Sequence, residues 1–261
     1  MDDILIELHG GWRKLILNRP AKLNAVNSAM LTSLLAAIEA AEADPATRVV
    51  MLTGAGRGFC AGQELGSDVT AGPDGPPDLE RLANTWHHEV VRRIRASRLP
   101  FIAAVNGVAA GAGASLALAC DIVLAARSAS FVQAFIRIGL VPDSGASFFL
   151  SHMVGDARGR ALAMLGDAIG AEQAEAWGMI WKTADDSALM ADAGAMAERL
   201  TQAPAQALAA IKLLFATAPH NTLHQQLDLE ARLQGEAGRS ADFIEGLDAF
   251  QQKRAPRFGP A

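Results

Sequence analysis

Two glycine-rich segments, each placed directly after a short apolar run, constrain this chain more than any other feature. The apolar runs are residues 49–53 and 101–105, and the glycine-rich segments are 58–63 and 106–113. Apolar runs without polar alternation are typical of buried strands. Small residues just beyond such strands allow backbone N–H groups to approach a ligand closely. If the fold brings the two segments together, two N–H donors could stabilise one negatively charged oxygen. The sequence therefore predicts an active site built from backbone.

The remaining pattern predicts α/β layers. Residues 4–8 and 12–17 flank His9-Gly10-Gly11, which predicts a β-hairpin. Helical spacing of apolar residues predicts a helix that begins at Ser28, a candidate N-cap, and ends at Asp44-Pro45. An alternation of strands and helices continues along the chain, with further helices predicted over 79–96 and 113–119 and a strand over 122–126. This alternation favours an α/β fold.

Two further segments complete the predicted organisation. Residues 66–78 are rich in Gly, Pro and Asp, which predicts a loop. After about residue 184 the strand pattern fades, and the spacing predicts four helices, over 188–200, 205–217, 223–233 and 241–252. The C-terminal part of the chain is therefore expected to be helical.

Composition excludes several classes of function. Among the 261 residues 51% are hydrophobic and the net charge is −5, so we expect no binding to nucleic acid or to an anionic membrane. The two cysteines are too few for a disulfide scaffold or a metal site, and no metal is expected. The acidic start Met1-Asp2-Asp3 is unlike a signal peptide, and no stretch of membrane-spanning length lacks polar breaks. We expect a cytoplasmic protein.

A nucleotide site is one alternative for the first glycine-rich segment. Gly54-Ala55-Gly56 after a strand is similar to a dinucleotide fingerprint, but Phe59 occupies the position of the third glycine. The Gly- and Pro-rich region that follows offers no acidic residue at the end of a second strand. These departures disfavour binding of NAD.

Several segments, taken in order, resemble the crotonase (enoyl-CoA hydratase/isomerase) superfamily and cover nearly the whole chain. Within it, residues 109–114 and 237–243 are most similar to the ring-1,2-epoxyphenylacetyl-CoA isomerases of phenylacetate breakdown. The segments that carry the general resemblance are 18–25, 59–63, 106–113, 138–143, 177–180 and 250–254.

The resemblance implies a fold and an assembly. Residues 1–200 would form a crotonase-like spiral of ββα units with a CoA-thioester site, and residues 201–261 a helical region that mediates trimerisation. We expect a homotrimer or a dimer of trimers, because the helical region has more apolar positions than one thin layer can bury. Those positions include Leu213, Leu214, Phe215 and Leu227.

The resemblance also implies catalytic roles. The backbone N–H groups of Gln63 and Ala112 would form an oxyanion hole for the thioester carbonyl, and Asp143 would be the acid/base. Local sequence alone favours another role for Asp143, that of a helix N-cap. Where hydratases of the superfamily carry two glutamates, this chain has Ser115 and Phe135, neither of which can be a general base. Addition of water by two glutamates is therefore disfavoured.

Binding residues follow from the same resemblance. Lys22, Leu23 and Ala25 match the segment that contacts the adenine and phosphates of CoA. Phe250 and Lys253 match a C-terminal pair that reaches CoA bound in a neighbouring subunit. Since the substrate carries its own coenzyme A, no separate cofactor is expected. Ala61 and Leu65 would line the thioester end of the site, and Gly111, Phe135 and Pro142 would be further substrate- or CoA-binding residues.

The function that the resemblance implies is isomerisation of an acyl-CoA thioester. The expected substrate is 2-(1,2-epoxy-1,2-dihydrophenyl)acetyl-CoA, which would become oxepin-CoA. One alternative is a Δ3,Δ2-enoyl-CoA isomerase, or another family member, of fatty-acid β-oxidation. Another is an aryl-CoA dehalogenase, in which His88 would activate water beside Asp143. A third is a non-catalytic assembly protein that binds CoA or RNA, suggested by the missing glutamate pair. Glu64 beside the oxyanion loop could orient that loop or be a solvated surface residue.

Overall fold

Two β-sheets of unequal size form the centre of the molecule. The computed structural model describes residues 2–66, 69–70 and 75–259. The strands are β1 Ile4–His9, β2 Trp12–Leu17, β3 Val49–Gly54, β4 Gly58–Cys60, β5 Phe101–Val105, β6 Val108–Ala110, β7 Ile122–Ala126, β8 Ser130–Val132, β9 Ala168–Gly170 and β10 Lys182–Ala184. The larger sheet has six strands in the order β1-β2-β3-β5-β7-β10, and the smaller has four in the order β4-β6-β8-β9. Strands β1 and β2 pair antiparallel, as do β8 and β9, and the other pairs are parallel.

Helices cover these sheets and form the C-terminal part of the chain. They are α1 Ser28–Ala43, α2 Leu79–Leu82, α3 His88–Ala96, α4 Ala112–Ala119, α5 Ala146–Leu165, α6 Ala171–Ala176, α7 Leu189–Thr201, α8 Ala205–Thr217, α9 Leu223–Ala237 and α10 Ala241–Gln251. Short 3₁₀ turns lie at Pro20–Lys22, Ala134–Ile138 and Ala218–His220. A π-helical turn, Ala83–His87, joins α2 to α3.

A unit of two strands followed by helix repeats through the core. β3 lies in the larger sheet and β4 in the smaller, and α2 and α3 follow; β5, β6 and α4 repeat this order, as do β7, β8 and α5. The chain thus winds as a spiral of ββα units, as expected. Because β4 pairs with β6, with Gly58 opposite Val108 and Cys60 opposite Ala109, the two glycine-rich segments lie side by side.

The core lies on the two faces of the larger sheet. Every residue of β3 and of β5 is buried, which confirms that these apolar runs are central strands. Met51 and Ile102 are paired across them and are fully buried. Burial of one such side chain stabilises the fold by about 1.5–3 kcal/mol. The central strands therefore form a rigid base for the loops at their ends.

Local differences from the predicted elements have identifiable causes. The predicted hairpin is present. Asn27, not Ser28, is the N-cap of α1, because its backbone is extended and its side chain accepts a hydrogen bond of 2.9 Å from the N–H of Met30. The helix predicted over 79–96 is present but contains the π-helical turn.

The C-terminal region consists of the four predicted helices, α7 to α10. Of these, α7 packs on β3, β5 and β7 and ends at Thr201, and α8 begins at Ala205. Large apolar side chains of α8, α9 and α10 are exposed, among them Phe215, Leu227 and Phe250. In the described part of the chain, every helix is too short or too polar to cross a bilayer. Of the loop predicted over 66–78, residues 67–68 and 71–74 lie outside the described residues.

Candidate active site

A pocket of about 550 Å³ lies where β4 and β6 end, beside the two glycine-rich segments. Its volume is within the range of small-molecule sites, about 300–1,000 Å³. Most of its wall is apolar, with a few polar groups between. The lining residues are Ala61, Gly62, Gln63, Leu65, Val69, Thr70, Leu79, Leu82, His87, Gly111, Ala112, Ala134, Phe135, Arg137, Ile138, Leu140 and Asp143.

The peptide of Gln63 is oriented by a parallel β-bridge to Val26. The N–H of Val26 donates to the carbonyl of Gly62, and the N–H of Glu64 donates to the carbonyl of Val26, each at 2.8 Å. In a parallel bridge the central residue directs its own N–H to the side opposite its partner. The N–H of Gln63 is therefore directed away from Val26.

The N–H of Ala112 belongs to the start of a helix. Ala112 is the first residue of α4, and the first four N–H groups of an α-helix have no partner within the helix. Its nitrogen lies 3.6 Å from where a Cβ at Gly62 would be. The two residues with candidate N–H donors thus belong to adjacent backbone segments, and both line the pocket.

Glycine is required where these segments meet. Gly62 has φ +92°, and a Cβ there would lie 2.7 Å from the carbonyl oxygen of Ala110. A Cβ on Gly113 would lie 2.2 Å from the carbonyl oxygen of Cys60. The start of α4 can therefore lie against the end of β4 only because these side chains are absent.

Asp143 lies in a tight turn before α5. Ser144 and Gly145 both have positive φ, +53° and +81°, and the helix begins at Ala146. The N-cap is Gly145, and no side chain caps the helix, so the N-cap role that local sequence favours for Asp143 is wrong. Its Oδ1 accepts a hydrogen bond of 2.9 Å from the hydroxyl of Ser144. The carboxylate lines the pocket with Gln63 and Ala112.

A histidine that the sequence interpretation passed over also lines the pocket. His87 is 4% exposed, and its Nε2 lies 2.8 Å from Oε1 of Gln63. Burial lowers the pKa of His87, an effect that the negative charge of Asp143 opposes. His88, the histidine of the dehalogenase alternative, contacts Asn84 and is not among the lining residues. The spacing of His87 with the buried Val90 and Ile94 indicated that His87 is the inward-facing histidine.

The two positions where hydratases carry glutamates are closed by other contacts. Ser115 is fully buried, and its hydroxyl donates to the carbonyls of Gly111 and Asp143 at 3.2 and 3.3 Å. The ring of Phe135 lies against Gly111. A Cβ added at that glycine would lie 3.7 Å from the ring, which is an ordinary van der Waals contact. Neither side chain can replace a glutamate as a general base, and Phe135 makes this wall apolar.

The segment expected to contact CoA is held beside the oxyanion loop. Asn24 is fully buried, has positive φ, and donates to the carbonyls of Ala55 and Gly58 at 2.9 and 2.8 Å. Lys22 and Arg19 both pair with Glu64, at 2.7 and 2.5 Å, and these bonds lower the pKa of Glu64 to about 2. Glu64 therefore ties this segment to Gln63.

Not every predicted binding residue is in the pocket. Of that set, Ala61, Leu65, Gly111 and Phe135 line it. Those absent from its lining are Lys22, Leu23, Ala25, Pro142, Phe250 and Lys253. Phe250 is 83% exposed at the end of α10, and its proposed contact with CoA would need a neighbouring subunit.

The two cysteines are free thiols. Cys60 and Cys120 are both buried. Burial raises the pKa of Cys60 to about 12, and it also raises the pKa of Cys120. Near neutral pH both therefore remain thiols.

Comparisons with known proteins bear on this site. The family model described as Enoyl-CoA hydratase/isomerase matches residues 9–260. The chain is 48% identical to the 1,2-epoxyphenylacetyl-CoA isomerase of Escherichia coli K12, over 99% of this chain and 98% of that protein. It is 45% identical to a Rhodobacter capsulatus protein named as a probable enoyl-CoA hydratase, over 98% and 97%. The crystal structure of an enoyl-CoA hydratase from Polaromonas sp. JS666 superposes with a TM-score of 0.92 at 35% identity, over 98% and 99%. The predicted crotonase-like fold is confirmed.

Proposed function

The chain belongs to the enoyl-CoA hydratase/isomerase family, and we propose that it isomerises an acyl-CoA thioester, namely 2-(1,2-epoxy-1,2-dihydrophenyl)acetyl-CoA to oxepin-CoA. The observation that carries the proposal is the position of Asp143, a carboxylate in one pocket with the peptides of Gln63 and Ala112. The similarity to the Escherichia coli isomerase supports the choice of substrate.

The mechanism uses one carboxylate and two backbone donors. The thioester oxygen accepts hydrogen bonds from the N–H groups of Gln63 and Ala112, which stabilise the enolate that forms when the α-carbon loses a proton. One such donor typically contributes about 3–4 kcal/mol to the transition state. The ring epoxide and the seven-membered oxepin are valence isomers. Asp143 takes the α-proton and returns it to the ring carbon γ to the carbonyl, which brings the double bond into conjugation. The substrate supplies the only coenzyme that this mechanism needs.

A Δ3,Δ2-enoyl-CoA isomerase is the second candidate, because transfer of a proton from the α- to the γ-carbon is the same chemistry. The apolar wall formed by Leu79, Leu82 and Phe135 suits either acyl group.

Hydration is disfavoured by Ser115 and Phe135. The presence of a pocket histidine favours the dehalogenase alternative, but the imidazole of His87 already bonds Gln63, which leaves that Nε2 unavailable to activate water.

A comparison of two substrates tests the choice between the isomerases. Purified protein would be assayed with the ring epoxide and with a 3-enoyl-CoA side by side, and we expect a higher kcat/KM for the epoxide. A higher kcat/KM for the 3-enoyl-CoA would make the second candidate the function. Turnover of neither would favour a non-catalytic CoA- or RNA-binding role.

Asp143→Asn tests the mechanism. Asparagine keeps the volume of the side chain and an acceptor for Ser144, but it cannot take a proton, so turnover should fall about 10²–10⁴-fold. Stability and thioester binding should be retained, because Asp143 caps no helix. Asp156→Asn, at an exposed ion pair of α5, is the matched control. Unchanged turnover in Asp143→Asn would disprove the acid/base role.

We also propose an assembly and a location. The exposed apolar side chains of α8 to α10 support a homotrimer or a dimer of trimers. The two free thiols support a reducing compartment, and hence the cytoplasm.

A further inference from the structure

The contact between His87 and Gln63 extends the site beyond the residues that move the proton. We propose that His87 is a positioning residue whose imidazole holds the side chain of Gln63, and so fixes the peptide that presents one oxyanion donor. This inference rests on the proposed function, because it assigns His87 a role in the same oxyanion hole.

The hydrogen bonds of Gln63 define the direction of this contact. The amide Nε2 of Gln63 donates to the carbonyl of Glu64 at 3.1 Å, so Oε1 is the atom that faces His87. An amide oxygen can only accept, and Nε2 of His87 must therefore carry the hydrogen. In the neutral ring Nδ1 is then unprotonated. The side chain of Gln63 is thus held at both of its polar atoms.

The imidazole is itself held firmly. It lies at the end of the π-helical turn, the kind of helix irregularity that is frequent at functional sites. Behind it is a very small cavity lined largely by apolar side chains, including Val26, Leu31 and Leu116. Because burial lowers the pKa of His87, the ring is neutral near pH 7 and donates one hydrogen bond without bringing a positive charge to Asp143.

The contact with His87 adds a second restraint at Gln63 to the bridge with Val26. Gly62 precedes Gln63 with φ +92°, a conformation that glycine adopts without strain but does not enforce. The bridge to Val26 sets the plane of the Gly62–Gln63 peptide through the Gly62 carbonyl, and the contact with His87 holds the same residue through its side chain. A released Gln63 side chain would also remain in the pocket, where its amide could bond Asp143 or the thioester oxygen.

Three variants separate positioning from other roles. His87→Met keeps a similar volume but has no donor, whereas His87→Gln can place an amide N–H near the original Nε2. His88→Met is the matched control, since it makes the same change one residue on, outside the pocket. Gln63→Met, alone and with His87→Met, keeps the backbone N–H but removes the acceptor. Circular dichroism and thermal unfolding would establish that each variant is folded.

The first readout is independent of turnover. The push–pull chromophore 4-dimethylaminocinnamoyl-CoA absorbs at longer wavelength when its thioester carbonyl is polarised. We expect a red shift on binding to the unmodified protein, a smaller one with His87→Met, and recovery with His87→Gln. The second readout is kcat for the ring epoxide, which should fall about tenfold in His87→Met, a typical coupling for residues in contact. The kcat of His87→Gln and of His88→Met should stay within about threefold of that of the unmodified protein, a smaller change than the tenfold loss expected for His87→Met.

Each outcome decides the proposal. Support requires the rescue by His87→Gln and no further loss when His87→Met is added to Gln63→Met. If His87→Gln loses as much as His87→Met, or if the two losses multiply, the imidazole acts in another way and the proposal is overturned. An unchanged red shift and kcat in folded His87→Met overturn it as well, while leaving the oxyanion hole intact. No red shift with the unmodified protein would instead overturn the oxyanion hole, and the positioning role with it. If His87→Met does not fold, a red shift lost in Gln63→Met supports the contact and a retained one overturns it.

Discussion

Glu64 shows how one side chain can hold together the segment expected to bind CoA and the loop that carries Gln63. It pairs with Arg19 and Lys22 on one segment and directly follows Gln63 on the other. A phosphate that binds Lys22 would have to compete with the carboxylate of Glu64. Arg19 would still pair with that carboxylate. The loop beside Gln63 would thus keep its anchor when the ligand is bound.

The pH dependence of stability tests this anchor. Hydrogen bonds from Lys22 and Arg19 lower the pKa of Glu64 from 4.5 to about 2. A lowered carboxylate pKa stabilises the folded state fully above the unfolded value, and this is lost as pH falls through the folded value. The Tm of the unmodified protein should therefore exceed that of Glu64→Gln above about pH 5, and the difference should shrink towards pH 2. Glu89→Gln, at an exposed pair on α3, is the control. A Tm difference that does not vary with pH would contradict the anchor.

At the scale of elements, α8 is fastened to the core by a buried charge. The Lys212 ammonium donates to the carbonyls of Ile94 and Leu99 at 2.8 and 2.9 Å and pairs with Asp121 at 2.8 Å. Its side chain is 7% exposed, and desolvation lowers the pKa of Lys212. All three donors of the ammonium thus have partners, which burial of a charge requires.

Lys212→Met should therefore lower the stability of the fold, although methionine suits an apolar site. Removing the ammonium takes a donor from two carbonyls and leaves Asp121 with only the N–H of Phe101 and Arg95 at 3.9 Å, which should destabilise the fold by about 3 kcal/mol. Denaturant unfolding would measure the loss, and faster hydrogen exchange in α8 would locate it. Lys182→Met, on exposed β10, should change stability little. A loss below about 1 kcal/mol would mean that apolar packing holds α8.

Sequence predicted the elements better than their local irregularities. Strands β3 and β5 could be predicted from their apolar runs, because both are wholly buried. Helices α7 to α10 could be predicted from the helical spacing of their apolar residues. The π-helical turn was not predictable from spacing, although the inward position of His87 could be inferred from its spacing with Val90 and Ile94. The position of Gln63 and Ala112 beside Asp143 came from the family resemblance, since no local pattern reports a contact between segments so far apart. Local propensity wrongly favoured Asp143 as the N-cap of α5. The N-cap is Gly145, whose backbone has positive φ, and no side chain caps the helix.

At the scale of the whole molecule, the exposed apolar surface predicts an assembly. Phe215 is 76% exposed and Leu227 52%, and both belong to the helical C-terminal region. Sedimentation at micromolar concentration should give three or six chains of 27.3 kDa each. Phe215→Glu with Leu227→Glu should yield smaller species, whereas Leu8→Glu on β1 should not. A stable monomer of the unmodified protein would contradict the assembly.

The burial of both thiols matters for a protein that would hold a strained epoxide. Epoxides alkylate thiolates, and a catalyst that exposed one would inactivate itself a little with every turnover. The described lining of the pocket contains neither cysteine nor lysine, and Cys60, which touches the site through its backbone, keeps its proton because of burial. The close packing of Gly113 against the Cys60 carbonyl keeps that thiol buried. It would thus protect the enzyme from alkylation by its own reactive substrate.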